Sequence, residues 1–126
     1  MFTIRPTTQS DVVSIFAIVA DGGVFTAEEA DAVRDLLDYF FRKPMQDEYL
    51  WLSAEDDGRV VGFACYGRIA LTAQNFELNW IATDPHARRH GVGSTLLQAV
   101  EDLAREHDGR FLNLETSATE PYAAAR

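Results

Sequence analysis

The segment FELNWIATDPHARRHGVGSTLLQAVEDLA, from Phe76 to Ala104, changes its hydrophobic period once, and that change restricts the fold more than any other feature of the chain. FELNWIAT is a β-rich run closed by Asp84-Pro85. From Val92 onward, Leu96, Leu97, Val100, Leu103 and Ala104 continue an apolar stripe at helical spacing, and Gly109 follows as a stop signal. A strand, a short glycine-bearing loop and an amphipathic helix in direct succession call for a sheet with a helix packed on it, an α/β (α+β) architecture.

The flanking sequence fills in the remaining layers. FTIRP alternates as a first strand ending at Pro6. Ser10 and Asp11 precede Val12, Ile15, Phe16 and Val19, one helical stripe that ends at Gly22-Gly23. Thr26 and Glu29 have capping-box spacing ahead of a second helix carrying Val33, Leu36, Leu37 and Phe40 on a single face, with Pro44 beyond it. Strands over 49–55 and 59–67 are joined at Asp57-Gly58, a hairpin dipeptide. RFLNLET forms another strand, and PYAAAR begins a further helix. A chain of 126 residues makes one domain, 1–126.

A formal charge of −9 disfavours a nucleic-acid partner, which needs clustered Lys and Arg over a broad face, and suits cationic substrates. No apolar run reaches the length of a membrane span, and the first residues do not read as a signal peptide; the expectation is a soluble cytoplasmic protein without a membrane partner. Cys65 is the only cysteine, which leaves no disulfide framework and no thiolate cluster.

The loop before the third long helix concentrates positive charge in this acidic chain. The first amides of a helix lack internal acceptors and its dipole favours an anion there. Gly91 and Gly93 carry no Cβ, so a pyrophosphate has access to the amides from Arg89 to Ser94, while Arg88 and Arg89 add charge. An ordinary loop with exposed arginines accounts for the spacing equally well. The chain has no G-x-x-x-x-G-K-[ST], and no G-x-G-x-x-G after its first strand, so nucleotide-triphosphatase and dinucleotide cradles are disfavoured.

Arg88-Arg89-His90-Gly91-Val92-Gly93 resembles the [RQ]-x-x-G-x-[GA] acyl-CoA signature of the GNAT superfamily of N-acetyltransferases. TIRPTTQSD, DGRVVGFACYG, ELNWIATDP and LNLETS stand in the order that family uses, so the likeness covers essentially the whole chain. The resemblance implies a mixed, mostly antiparallel central sheet flanked by helices. It also implies acetyl-CoA as cofactor, with the CoA pyrophosphate on the segment Arg88, Arg89, His90, Gly91, Val92, Gly93 and Ser94. The pantetheine arm would run beside Ile81, Ala82 and Thr83, where that strand splays from the one containing Leu112 to Leu114. The implied reaction is direct attack of a primary amine, on a small molecule or peptide, upon the thioester. Homodimers are common in the family, though no surface pattern of this sequence establishes one. The alternative reading is a noncatalytic CoA-binding or regulatory module, and a third is a purely structural dimerisation domain.

Glu77 matches a position that often carries an acidic residue in these enzymes and is the candidate base; Glu115 is the runner-up. Asn79 and Thr83 share its face if strict alternation holds, and a bulge would undo that. Cys65, within VVGFACYG, reads as a small buried hydrophobe rather than a nucleophile. His86 and His90 read as solvated loop residues rather than metal ligands, His107 as a helix-end residue, and no metal is expected. Trp51 and Trp80 read as core, whereas family precedent turns Phe25 and Tyr39 toward the amine site. Relatives continue past a PYAAAR-like segment with x-F-Y-x-x-x-G-[FY], whose tyrosine protonates the leaving thiolate; Tyr122 stands one turn too early for that role. The expectation is therefore a chain truncated in its last helix and lacking the closing strands, a fragment of a longer product. The alternatives are a partner that covers the open edge, or a degraded relative that binds CoA without turnover.

Overall fold

The structure, a computed structural model, describes residues 3–21, 25–46, 48–68, 75–86, 91–106 and 110–114, with residues 75 and 110–114 described through their backbone. β1 (Thr3–Pro6) leads through a 3-10 turn at Gln9–Asp11 into α1 (Val12–Asp21) and α2 (Ala27–Arg42). β2 (Leu50–Asp56), β3 (Arg59–Arg68) and β4 (Asn75–Thr83) follow, then α3 (Val92–Glu106) and β5 (Arg110–Leu114). The five strands lie in the order β1-β2-β3-β4-β5. Neighbours are antiparallel as far as β4, and β5 is parallel to β4. This is the mixed, mostly antiparallel sheet with flanking helices that the sequence led us to expect. Gly22-Gly23, Gly109 and the PYAAAR segment lie outside the described residues.

Local chemistry sets the boundaries of these elements. At the start of α2, Glu29 N donates to Thr26 Oγ1 at 3.1 Å and Thr26 N donates to Glu29 Oε1 at 2.9 Å. Two backbone donors at the helix start thus find acceptors reciprocally. The β2–β3 turn has φ of 54° at Asp57 and 80° at Gly58, the pair of positive values that matches a two-residue hairpin to strand twist. No helix among the described residues is long and apolar enough to cross a membrane.

The sheet separates two cores. Ile15, Ile18, Val19, Val33 and Leu37 of α1 and α2 pack with Trp51, Phe63 and Cys65 on one face. Val92, Leu96, Val100 and Ala104 of α3 pack with Leu52, Ala64, Leu78 and Ile81 on the other. The buried line of α1 is Ile15, Ile18 and Val19, not the expected Val12, Ile15, Phe16 and Val19. Phe16 instead is half-buried at the seam with α2, where the Arg34 guanidinium stacks over its ring at 5.3 Å.

A polar cluster fastens β1 and the start of α1 to β2. Asp11 is 3% exposed. It receives Arg5 Nη1 and Nη2 at 2.8 and 2.9 Å, the Thr8 amide at 2.8 Å and Ser53 Oγ at 3.1 Å. Arg5 Nε donates onward to Glu55 at 2.8 Å. The Arg5 hydrogen bonds, helped by the Thr8 amide and Ser53, hold the Asp11 carboxyl down at about 2 against the opposing effect of burial.

Three register shifts shape the sheet, one of them between β4 and β5, where Leu112 is an extra residue opposite the Phe76–Glu77 step. Val61 is an extra residue of β3 opposite the Ala54–Glu55 step, and Asn79 is an extra residue of β4 opposite the Cys65–Tyr66 step.

Candidate functional site

β4 presents two edges with different fates. Asp84 N donates to Val61 O at 2.8 Å, so these two residues form a directly bonded antiparallel pair. Alternation makes Phe63 with Ala82 and Cys65 with Trp80 the next bonded pairs. The backbone groups of Ala82 and Trp80 therefore point at β3, and those of Ile81 and Thr83 point to the opposite edge. On that edge β5 pairs with Asn75 to Leu78, with a register shift at the Phe76–Glu77 step and Leu114 opposite Leu78. Among the described residues no strand accompanies β4 past the bulge at Asn79. The expected splay from the Leu112–Leu114 strand concerns the chain past Leu114, which lies outside the described residues.

Beyond β4 the chain is steered toward α3. The Asp84 carboxylate accepts from His86 N at 2.9 Å and from Arg59 Nη2 at 3.3 Å, which ties the Asp-Pro turn to the start of β3. A cleft of about 350 Å³ opens beside this turn, lined by Asp21, Arg59, Asp84 and His86 among others. Gly91 then has φ of 72°, a conformation that other residues adopt only with strain. The α3 ladder starts with Thr95 N donating to Gly91 O at 3.0 Å. The amides of Val92 and Gly93 stand ahead of that first bond and have no i−4 carbonyl within the helix. Gly91 is exposed, while Val92 and Gly93 are buried and Ser94 is partly so. Arg88, Arg89 and His90 lie outside the described residues, as do His107, Glu115 and Tyr122.

The bulge also decides which side chains meet. Before it, Phe76 and Leu78 face α3; after it, Ile81 does, while Trp80 and Ala82 pack on the α1/α2 side. Glu77 and Asn79 lie on the α1/α2 side as well, and Asn79 Nδ2 donates to Cys65 Sγ at 3.9 Å. Thr83 does not share the face of Glu77; the inserted residue turns it toward α3, where it is buried.

The α1/α2 side of the sheet is rich in aromatic rings. Tyr39 meets Tyr49 edge-on at 6.3 Å between ring centroids. Burial raises the Tyr49 hydroxyl above its usual range, and the negative charges of nearby Glu48 and Glu77 add to this. Trp51 forms the floor, 5.7 Å from Phe63 and 6.1 Å from Trp80. Its buried indole N–H has no partner among the described residues. Phe25 packs on Phe63 at 6.2 Å. Cys65 is fully buried, and burial pushes its thiol well up against the smaller opposing effect of the Asn79 bond. It is the neutral core residue the sequence suggested. The sequence reading missed Tyr49, although it stands two residues before Trp51 and β alternation brings it to the same face. His86 is exposed, and no group of His, Cys, Asp and Glu among the described residues has an arrangement suited to a metal.

Comparison with known proteins adds an independent line. A GNAT-family protein from Desulfovibrio desulfuricans has 32% sequence identity and a TM-score of 0.78, over 87% of this chain and 69% of its own. The PaiA N-acetyltransferase of Thermoplasma acidophilum, solved with coenzyme A, shares the fold at 21% identity and a TM-score of 0.68, over 86% of this chain and 74% of its own. A GNAT-family acetyltransferase from Brucella melitensis, solved with acetyl-CoA, does so at 19% identity and a TM-score of 0.68, over 87% and 72%. A search of curated proteins gave no match. The family model described as acetyltransferase (GNAT) family matches residues 15–125. With this match and the fold in agreement, the chain belongs to the GNAT acetyltransferase family.

Proposed function

We propose that this protein transfers an acetyl group from acetyl-CoA to a primary amine of a small molecule or peptide, with residues 1–126 acting as one acyl-CoA-binding domain. The observation that carries the reading is the outward edge of β4 past Asn79, with the first turns of α3 packed nearby around Gly62. An edge whose amides and carbonyls meet no strand among the described residues suits the amide-bearing arm of CoA, in the manner of an added strand. A helix start opened by a positive-φ glycine suits its pyrophosphate.

In this reading Ile81 and Thr83 offer the backbone groups for the arm, and Ala82, bonded to β3, fixes their spacing. Gly91, Val92, Gly93 and Ser94 form the pyrophosphate cradle, to which the family motif adds Arg88, Arg89 and His90. Acetyl-CoA supplies the acetyl group as a thioester, already activated toward an amine. Glu77 takes the proton that an acceptor ammonium must lose before it can attack. Tyr49, within reach of the Glu77 charge, and Tyr39, edge-on to Tyr49, offer aromatic rings that favour a cationic acceptor. Asn79, tethered to Cys65, keeps the bulge in shape between the acceptor side and the cofactor edge.

Titration calorimetry with CoA, followed by thiol-release assays over a panel of primary amines, tests the proposal. The expected result is a dissociation constant on the order of micromolar to tens of micromolar, with turnover of at least one amine. CoA binding without turnover of any amine would favour the noncatalytic module, and no binding of CoA would reject both.

A further inference from the structure

Gly62 lies in β3 and is not among the glycines with positive φ, so its backbone conformation does not require glycine. What it lacks is room. A Cβ built there would stand 2.7 Å from Val92 Cγ1, 3.1 Å from Leu96 Cδ1 and 3.1 Å from the Ala82 carbonyl oxygen. Those atoms belong to the two halves of the proposed cofactor site, the first turns of α3 and the part of β4 between Ile81 and Thr83. The bulge at Val61 directly precedes this point, and Val61 packs into the same α3-side core.

The three neighbours differ in how they can yield. Leu96 can rotate its terminal methyl away. The Ala82 carbonyl is held in the β3–β4 ladder. Val92 is β-branched on a helix, where one χ1 rotamer dominates, so relief there moves the backbone of the first turn of α3 rather than a side chain alone. We infer that Gly62 is a positioning residue for the cofactor: its missing side chain lets α3 settle onto β3 and β4 at the separation that sets the Val92 and Gly93 amides against the Ile81–Thr83 edge. The inference rests on the cofactor reading above and extends it to a residue that touches no ligand.

Strand propensity alone ranks alanine at or above glycine at such a site. Crowding against Val92 gives the opposite expectation, which makes Gly62→Ala informative. CoA affinity and the backbone amide resonances would be measured for the unmodified protein, Gly62→Ala, Val92→Ala and the double variant. Gly62→Ala is expected to bind CoA about tenfold more weakly, with its largest amide shifts at Val92, Gly93 and Ala82. The KM for acetyl-CoA should rise while kcat at saturation stays within about twofold. In the double variant most of the loss relative to Val92→Ala alone should disappear, because the 2.7 Å neighbour has gone. Unchanged CoA affinity in Gly62→Ala, or a loss that Val92→Ala does not relieve, would overturn the inference. If the unmodified protein bound no CoA, the cofactor reading would fail by that result. The positioning of α3 would then be decided by the amide shifts alone: displacement in Gly62→Ala reversed in the double variant supports it, and unmoved resonances overturn it.

Discussion

Asp11→Ala is expected to lower the stability of the fold by about 3 kcal/mol, at the lower end of the range for breaking a buried ion pair. The substitution strips acceptors from the Thr8 amide and from the buried Ser53 Oγ, and leaves the Arg5 fork with Glu55 and the Pro6 carbonyl. Arg5 keeps some contact with water, its side chain being 29% exposed, which limits the loss. Urea unfolding should show a lower midpoint at an unchanged slope. A loss below about 1 kcal/mol would mean that the cluster contributes no more than a surface ion pair.

The same carboxylate predicts an acid response. Its folded value of about 2 lies below the ordinary 3.8, so the stability it contributes is fully present above the ordinary value. That stability declines as the pH falls below about 4 and is gone once the pH passes below about 2. The shift corresponds to roughly 2 kcal/mol near neutral pH. In Asp11→Asn this component should be missing, so stability measured between pH 5 and pH 2 should fall by about that much less than in the unmodified protein.

Glu77→Gln is expected to lower kcat by about 10²–10³-fold, the usual contribution of a positioned base, while CoA affinity stays within about twofold. The separation follows from placement: Glu77 lies before the bulge on the α1/α2 side, and the proposed cofactor groups lie after it on the outward edge or on α3. Single-turnover rates together with CoA titration would check it. An unchanged rate would remove Glu77 from the mechanism, and a parallel loss of CoA affinity would show that the substitution disturbs the bulge instead.

The elements that the sequence made legible are those whose signals are local. Thr26 and Glu29 announce α2 because a capping box acts within four residues, and Asp57-Gly58 announces the hairpin because positive φ is a property of the dipeptide. Val92 to Ala104 announce α3 through periodicity alone. The Asn79 bulge was not readable in the same way. The inserted residue is Asn79, yet one asparagine within a β-rich run does not specify an insertion; the extra residue arises from how β4 registers on β3. Alternation without the bulge placed Thr83 beside Glu77; the insertion separates them. Asp11 read as a helix-start residue, and its bond to Ser53 and its link through Arg5 to Glu55 depend on β1 pairing with β2. The cofactor motif was legible as far as Gly91, where a positive φ does require glycine. The division of Ile81 and Thr83 from Ala82 needed the strand register.

Site-resolved amide hydrogen exchange, with and without saturating CoA, reads out whether the cofactor engages the outward edge of β4 and the first turn of α3. The Ile81 and Thr83 amides, together with those of Val92 and Gly93, are expected to become markedly slower when CoA is added, whereas the Ala82 amide, already bonded within the β3 ladder, does not change. Equal exchange at Ile81 and Thr83 in both samples, with CoA demonstrably bound, would contradict that engagement.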